Sequence, residues 1–161
     1  MNIQDSIVVI EKDKKKAEIA KKLGIRLIVN SIDKKSKLEI IKFFRGKVDL
    51  CYDSAGSIKT LEASLDLLKN DGRLHFASHP DEKLKMKIKP YDFILGKRIS
   101  GSWAGGCSPG RDVNKFSKII NNNKKLINSL LLKEYNLEDI NVAIKDFIDG
   151  KVFRPIIKMR H

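Results

Sequence analysis

The sequence lacks any apolar run of about 20 residues, the length that a membrane-spanning helix needs. Its first residues also have no basic segment ahead of their short apolar run, so they do not have the pattern of a secretory signal peptide. These two absences predict a protein that does not enter a membrane and that works in the cytoplasm.

Cysteine is scarce, because the 161 residues include only Cys51 and Cys107, and no C-x-x-C pair occurs. The motif H-E-x-x-H is absent too, and the three histidines do not have the spacing of metal ligands. Cys51 lies inside an apolar run, which favours a buried free thiol in a reducing compartment over a disulfide. We therefore expect no zinc site made by this chain alone.

Aromatic residues make up only 7% of the chain and are not interleaved with its basic residues. The net charge of +13 would suit a nucleic acid or an acidic membrane surface. However, the 33 lysines and arginines are spread through every segment, mostly at positions that would face solvent on helices. A general abundance of lysine, isoleucine and asparagine explains the charge at least as well, so nucleic-acid binding is not the favoured function.

The sequence does contain a regular alternation of short β-branched runs and amphipathic helical stretches. Strands are predicted over residues 6–10, 25–29, 48–52, 74–77, 98–103 and 152–159. Helices are predicted over residues 14–23, 34–45, 58–68, 113–120 and 136–149. Such alternation implies right-handed crossovers and a parallel sheet covered on both faces. The predicted fold class is therefore α/β, with a doubly wound parallel sheet in a single domain of residues 1–161.

Helical spacing also predicts which side chains are buried. In the second helix the buried face contains Leu38, Ile41 and Phe44. In the last helix, which Asn136 is expected to cap, it contains Ile140, Ala143, Ile144 and Phe147. The tripeptide at 70–72, Asn-Asp-Gly, predicts a turn that leads into the fourth strand.

Ligands bind at the carboxyl ends of the strands in such sheets, so residues that follow a strand are candidate site residues. Glu11 follows the first strand, where its carboxylate could accept hydrogen bonds from both ribose hydroxyls of an adenine dinucleotide. It could also be a solvent-exposed acid favoured by the helix macrodipole, which is the commoner case. Lys16 and its basic neighbours are more typical of solvated charges at a helix start than of a phosphate site.

Small residues follow the third and fourth strands, at Asp53 to Ser57 and at Ala77 and Ser78. They would let a flat ring lie against the backbone, but an ordinary loop before a helix has the same composition. Arg154 begins the final strand and could hold a pyrophosphate, although a surface arginine is more common. His75 lies inside the fourth strand and is more typical of a packed core histidine than of an acid or base.

Four segments are weak signals of function when each is taken alone, but their order along the chain is a stronger one. They are IVVIEKDKKKAEIAKKLGIRLIVN, KVDLCYDSAGSIKTLEASLDLLKNDGRLHF, PYDFILGKRISGSWAGG and NLEDINVAIKDFIDGKVFRPII. In this order they resemble the second half of the zinc-containing alcohol dehydrogenases of the medium-chain dehydrogenase/reductase family. The resemblance covers nearly the whole chain. It implies a Rossmann-like domain that binds NAD and serves alcohol or aldehyde hydride transfer when joined to a catalytic domain.

The resemblance also implies site residues, matched by position. Glu11 falls on the acid that binds the adenosine ribose, which favours NAD because a carboxylate would repel the 2'-phosphate of NADP. Lys16 falls on a basic residue that helps to hold the same ribose, and Arg154 falls on the arginine that reaches the pyrophosphate. The other matches line the adenine pocket or lie near the nicotinamide: Ala55, Ala77, Ser78, Ser102 and Ala104.

The chain departs from the family pattern in two ways. The glycine loop G-x-G-x-x-G, with the strand before it and the helix after it, is absent, and so is the catalytic domain with its zinc ligands. Hydride transfer in this family needs the metal to polarise the alcohol oxygen, so no catalytic residue is assigned here and an upstream catalytic half is the expected partner. The alternative is a non-catalytic remnant that acts as a binding or dimerisation module, with the homodimer formed through the sheet edge near residues 98–103.

The absent strand would be central in the doubly wound order 3-2-1-4-5-6. Without it, the strands at 6–10 and 25–29 lie on one side of a gap, and the strands at 48–52, 74–77 and 98–103 lie on the other. Two new edges with unpaired backbone groups result. Three outcomes are open: the strand at 6–10 moves beside the strand at 48–52, a separate chain fills the gap, or the fragment is only marginally stable.

Overall fold

The structure is a computed structural model that describes residues 3–124, 127 and 132–159. It confirms the α/β fold class with parallel strands. The chain forms two compact units, Met1–Cys107 and Ser108–His161, each of which is described by itself. The expectation of a single domain therefore stays a prediction. None of the helices in the described residues has the length and apolar character needed to cross a membrane.

The first unit alternates strands and helices as expected. Its strands are β1 (Val8–Ile10), β2 (Leu27–Val29), β3 (Val48–Asp53), β4 (Leu68–Phe76) and β5 (Arg98–Gly101). Its helices are α1 (Lys14–Lys22), α2 (Lys34–Phe44), α3 (Ile58–Leu67) and α4 (Pro90–Ile94), with short 3-10 turns at Ile3–Ser6 and Ala104–Gly106. Each of these helices lies between two successive strands, and α1, α3 and α4 connect strands that pair in parallel.

The strands of the first unit form two separate parallel sheets. One sheet contains β1 and β2, and the other has the order β3-β4-β5. In the larger sheet Asp53 lies opposite Phe76, and Phe76 lies opposite Gly101, so all three strands end at the same level. Among the described residues β1 does not pair with β3, which excludes the outcome in which the gap is closed by these two strands.

The helix boundaries follow from local chemistry. Asp13 is the N-cap of α1, and its side chain accepts hydrogen bonds from the backbone N–H groups of Lys15 and Lys16. Helix α2 ends because Arg45 adopts a left-handed conformation with φ 55°, after which the Gly46 N–H donates to the Ile41 carbonyl. Local hydrogen bonds therefore fix the residue at which α1 begins and the residue at which α2 ends.

The core of the first unit has two clusters that share α3. One cluster contains Val29, Ile32, Ile40, Ala63 and Leu67. The other contains Leu61, Leu65, Leu68 and Leu74, of which Leu68 and Leu74 are completely buried. Because α3 contributes residues to both clusters, it fixes β3 and β4, and with them the loops at their carboxyl ends.

Two expectations for the first unit are wrong. Leu38 was expected on the buried face of α2, but it is 60% exposed, since the narrow core contact of this helix is made by Ile40 and by part of Ile41 and Phe44. The tripeptide at 70–72 does not form a turn before a strand, because β4 already begins at Leu68 and runs through it. The extra residues are absorbed by a register shift between β3 and β4.

The second unit contains helix α5 (Pro109–Asn122) and a small layer of strands on a helix. This layer consists of β6 (Leu132–Asn136), α6 (Ile140–Ile148) and β7 (Arg154–Lys158), with β6 parallel to β7. Its buried residues are Tyr135, Ala143 and Val152. Three residues expected to be buried in the last helix are instead about half exposed: Ile140, Ile144 and Phe147. Two strands cover only a narrow stripe of a helix, and Ala143 occupies it.

Candidate functional site

The loops that follow β3, β4 and β5 lie side by side in the first unit. The register of the three strands brings together the segments that begin at Ala55, Ala77 and Ser102. The Ala77 N–H donates to the Asp53 carbonyl at 3.0 Å, and the Ser102 N–H donates to the Phe76 carbonyl at 3.0 Å. These bonds extend the strand pairing into the loops, so backbone groups at the sheet end are presented from fixed positions.

A buried carboxylate organises these loops. Asp53 is 7% exposed, and its Oδ1 accepts hydrogen bonds from the N–H groups of Ala55 and Gly56 at 3.1 and 2.9 Å. The same oxygen accepts from the Ser78 hydroxyl at 2.9 Å, and Oδ2 accepts from the Thr60 hydroxyl at 2.8 Å. One side chain therefore ties the loop after β3 to the start of α3 and to the loop after β4.

Sequence reasoning did not single out Asp53 for this role. It treated residues 53–57 as a loop of small residues next to a flat ring. The available signal was an acid at a strand end with glycine three residues later, which is the pattern of an Asx-type turn. What could not be read from the sequence is the bond to Ser78, because that serine is 25 residues away along the chain.

Two glycines allow the close contacts in this region. Gly56 has a φ of +72°, and a Cβ there would lie 3.2 Å from the Cβ of Ser78. A Cβ at Gly101 would lie 2.8 Å from the ring of Phe76, so that ring would have to move. Glycine at these two positions therefore lets β5 and the loop after β3 approach the end of β4 without such a shift.

His75 lies in the middle of a polar row on one face of the larger sheet. Its Nδ1 is 2.9 Å from the Ser100 hydroxyl, and its Nε2 is 2.9 Å from the Ser102 hydroxyl. The ring of Tyr52 stacks on the His75 ring at a centroid distance of 5.7 Å. His75 is only partly buried, so it is a polar connector between neighbouring strands and differs from the packed core histidine that was expected.

Glu11 follows β1 directly, as the sequence predicts. Its N–H donates to the Val29 carbonyl at 2.8 Å, so the backbone at Glu11 is fixed to the end of β2. Its carboxylate Oε1 accepts a hydrogen bond from the Asp13 N–H at 2.9 Å. Asp13 in turn caps α1. The hydrogen bond that its carboxylate accepts from the Lys16 N–H is the main cause of the lowered pKa of Asp13. Lys16 thus lies in the first turn of the helix that begins beside Glu11.

Two predicted residues remain, Arg154 and Ala104. Arg154 belongs to the second unit, where it begins β7 and donates from Nη1 to the Phe153 carbonyl at 3.1 Å. The backbone of Ala104 belongs to the 3-10 turn after β5, but its side chain lies outside the described residues. Trp103, beside this turn, is 79% exposed and meets the ring of His79 edge-to-face at 4.3 Å.

Comparison with known proteins identifies the family. A family model of zinc-binding dehydrogenases matches residues 1–125, which is more than half of the chain. The chain belongs to the zinc-binding dehydrogenase family. It corresponds to the cofactor-binding half of a zinc alcohol dehydrogenase-like oxidoreductase, as the resemblance implied.

Curated alcohol dehydrogenases and the solved structure of a benzyl alcohol dehydrogenase are similar to this chain. Alcohol dehydrogenase-like 5 of Arabidopsis thaliana is 25% identical over 157 residues, which are 95% of this chain and 40% of that protein. Putative alcohol dehydrogenase D of Mycobacterium tuberculosis is 32% identical over 76 residues, which are 47% of this chain and 21% of that protein. The structure is similar to benzyl alcohol dehydrogenase of Acinetobacter calcoaceticus, with a TM-score of 0.84 and 26% identity over 96% of this chain and 42% of that chain. The chain therefore spans about two fifths of the length of its full-length relatives.

The zinc that gives the family its name does not fit the residues described here. Among them, no group of three or more His, Cys, Asp or Glu side chains is close enough to hold a metal ion. Burial raises the pKa of the Cys51 thiol to about 11, and its sulfur lies 3.6 Å from the Ser64 carbonyl, so it is a packed thiol. Metal ligands must be deprotonated, and this thiol resists deprotonation. No step of a reaction can be assigned to zinc bound by these residues.

Proposed function

We propose that this chain binds a nicotinamide dinucleotide at the carboxyl ends of its strands, and that it prefers NAD to NADP. The observation that carries the preference is Glu11, whose carboxylate is fixed at the end of β1 by the Asp13 N–H. A carboxylate in this place accepts hydrogen bonds from ribose hydroxyls and repels a 2'-phosphate. Membership of the family supports the dinucleotide itself.

The loops at the ends of β3, β4 and β5 would receive the rest of the cofactor. Ala55 would line the adenine pocket, and the backbone at Ala77, Ser78, Ser102 and Ala104 would meet the nicotinamide end. The hydrogen bonds of Asp53 support this proposal, because they order two of the loops before any ligand arrives. A preordered site loses less conformational entropy on binding. In the same proposal Lys16 contacts the ribose and Arg154 the pyrophosphate.

Oxidation of an alcohol or reduction of an aldehyde would belong to a protein in which this half is joined to a zinc-binding catalytic half. The bound cofactor would supply the hydride chemistry. The residues of this chain would then bind and orient the dinucleotide, and no proton or hydride step is assigned to them.

The proposal is tested by titrating the chain with NADH and with NADPH while following the fluorescence of the reduced nicotinamide. We expect saturable binding, with NADH bound more tightly than NADPH. Glu11→Gln should weaken NADH binding by about tenfold, since one charge-assisted hydrogen bond is worth about 1.5 kcal/mol or more. The same variant should bind NADPH no worse than the unchanged chain does, because the repulsion is removed.

Glu18→Gln is the matched control, since Glu18 is an exposed acid on α1, the helix that follows Glu11, and its removal changes the net charge by the same amount. It should leave both affinities unchanged. Equal effects of the two variants would show that only the overall charge matters, and the role of Glu11 would be rejected. The absence of saturable binding to either cofactor would reject the proposal as a whole.

A second candidate function is assembly through the outer edge of β5. This strand is at the edge of the three-stranded sheet, and in the described part of the chain only β4 pairs with it. The neighbouring Trp103 is 79% exposed, and a large exposed aromatic side chain beside a free edge favours an interface. A dimer by sedimentation that Trp103→Ser dissociates, together with no cofactor binding, would favour this function over the first.

A further inference from the structure

Three side chains form a hydrogen-bonded row on one face of the larger sheet. His75 of β4 lies between Ser100 of β5 and Ser102, the residue after β5, and each hydroxyl oxygen is 2.9 Å from one nitrogen of the ring. Histidine is the side chain that changes its charge between about pH 5 and pH 8. Uptake of a proton from solvent by His75 therefore gives this row a positive charge.

The two charge states of the ring use the serine hydroxyls differently. In a neutral ring one nitrogen donates and the other accepts, so one of the two serines must direct its hydrogen towards His75. In a protonated ring both nitrogens donate, so both hydroxyls accept from the ring and direct their hydrogens elsewhere. Protonation therefore makes Ser102 a donor towards its surroundings and places a positive charge beside it.

The neighbouring strands do not neutralise a charge on this ring. Arg73 of β4 and Arg98 of β5 lie opposite each other, two positions before the row and on the same face, and both are exposed. From β3, the uncharged ring of Tyr52 stacks on the imidazole at a centroid distance of 5.7 Å. Asp53 lies on the other face, where it binds donors of its own, and Asp71 is exposed four residues before the histidine along β4.

We propose that the protonation of His75 sets the preference of this chain between reduced and oxidised nicotinamide cofactor. This inference rests on the proposed function, in which Ser102 lies at the nicotinamide end of the bound dinucleotide. The nicotinamide ring of NAD⁺ is positively charged and that of NADH is neutral, so a protonated His75 beside Ser102 repels only the oxidised form. By linkage, lowering the pH strengthens the preference for NADH.

The test measures the dissociation constants of the full chain for NADH, by fluorescence, and for NAD⁺, by displacement of NADH, at about pH 8 and about pH 6. The two forms share their phosphates, riboses and carboxamide, so the ratio of the constants cancels pH effects on those groups. We expect the ratio of the NAD⁺ constant to the NADH constant to be about fivefold higher at the lower pH, which corresponds to about 1 kcal/mol of repulsion.

Two variants assign the effect to one histidine. His75→Gln keeps a donor and an acceptor but carries no charge, so its ratio should be the same at both pH values. His79→Gln is the matched control, since His79 is exposed in the loop after β4 and contacts Trp103, and it should retain the rise. Circular dichroism at both pH values checks that each variant is folded.

The outcomes separate this inference from the proposed function on which it rests. Saturable binding of both forms with a ratio that does not change with pH, or a rise that persists in His75→Gln, would overturn the role of His75 and leave cofactor binding intact. Absence of saturable binding to either form would reject the proposed function, and the role of His75 with it.

Discussion

Two buried aspartates, one in each unit, show how differently this chain uses a carboxylate. Asp53 is 7% exposed and accepts only from neutral donors, two backbone N–H groups and two hydroxyls. Asp146 is 8% exposed and accepts from one hydroxyl and two ammonium groups. Its donors are Tyr135 at 2.9 Å, Lys133 at 3.1 Å and Lys151 at 3.2 Å.

The two carboxylates, with their different donors, stabilise different parts of the molecule. Three donors of Asp53 are parts of loops at the strand ends and the fourth is Thr60 of α3, so this carboxylate holds the region where we propose that the cofactor binds. The donors of Asp146 come from β6 and from the segment after α6, so this carboxylate holds the second unit together. The hydrogen bond from Tyr135, followed by those from the two lysines, lowers the pKa of Asp146 to about 2.

The largest effect is expected from Asp53→Ala. It removes the shared acceptor of the Ala55 and Gly56 N–H groups and the Ser78 hydroxyl, whereas the Thr60 hydroxyl keeps the Ser57 carbonyl. We expect the free energy of unfolding of the first unit to fall by about 2 kcal/mol. Asp53→Asn keeps one acceptor oxygen and should cost about half as much. Urea unfolding followed by circular dichroism measures both. A loss below 1 kcal/mol (roughly the value of a single ordinary hydrogen bond) for the alanine variant would show that the loops do not depend on this carboxylate.

Asp146→Asn should have a smaller effect, and one that depends on pH. The pKa of Asp146 is about 2 in the folded chain against its ordinary value of 3.8, so its contribution to stability is fully present above pH 4 and is lost as the pH falls from 4 to 2. The difference in melting temperature between the unchanged chain and the variant should shrink over that window. A difference that is constant from pH 7 to pH 2 would contradict the low pKa.

Salt should separate the two aspartates further. The side chains of Lys133 and Lys151 are 55% and 54% exposed, so their attraction to Asp146 is screened by added salt. Raising the sodium chloride concentration should reduce the effect of Asp146→Asn and leave the effect of Asp53→Ala unchanged, because Asp53 has only neutral donors. Melting curves at low and high salt measure this. If the effects of both variants depended equally on salt, the prediction that only Asp146 is stabilised by charged donors would be wrong.

The smallest effect is expected from Tyr135→Phe. The variant removes one hydroxyl donor from Asp146 and keeps the ring under the Lys133 ammonium group, which lies 4.7 Å from the ring centroid. The melting temperature should fall by less than in Asp146→Asn, and the pKa of Asp146 should rise, because its first cause is removed. Titration of the carboxyl carbon by NMR gives this pKa directly, and an unchanged value would assign the low pKa to the lysines alone.

The local order of elements could be read from the sequence because it depends on neighbours in the chain. The cap at Asp13 and the alternation of strands and helices both depend on residues within one or two turns. The place of Glu11 at the end of β1 was predicted for the same reason. The exposure of Leu38 and Ile144 was not predicted, because it depends on how much of each helix a partner layer covers.

By itself, the sequence determined the α/β class, the family and the positions that follow each strand, since all three depend on local pattern and order. The tertiary structure decided which of these positions meet. Only the packing of β3, β4 and β5 brings Ser78 to Asp53 and Ser102 to His75, because these pairs are 25 and 27 residues apart. It also decided that, in the residues described, β1 and β3 contact one core cluster without pairing with each other, since backbone pairing between distant strands leaves no local mark in the sequence.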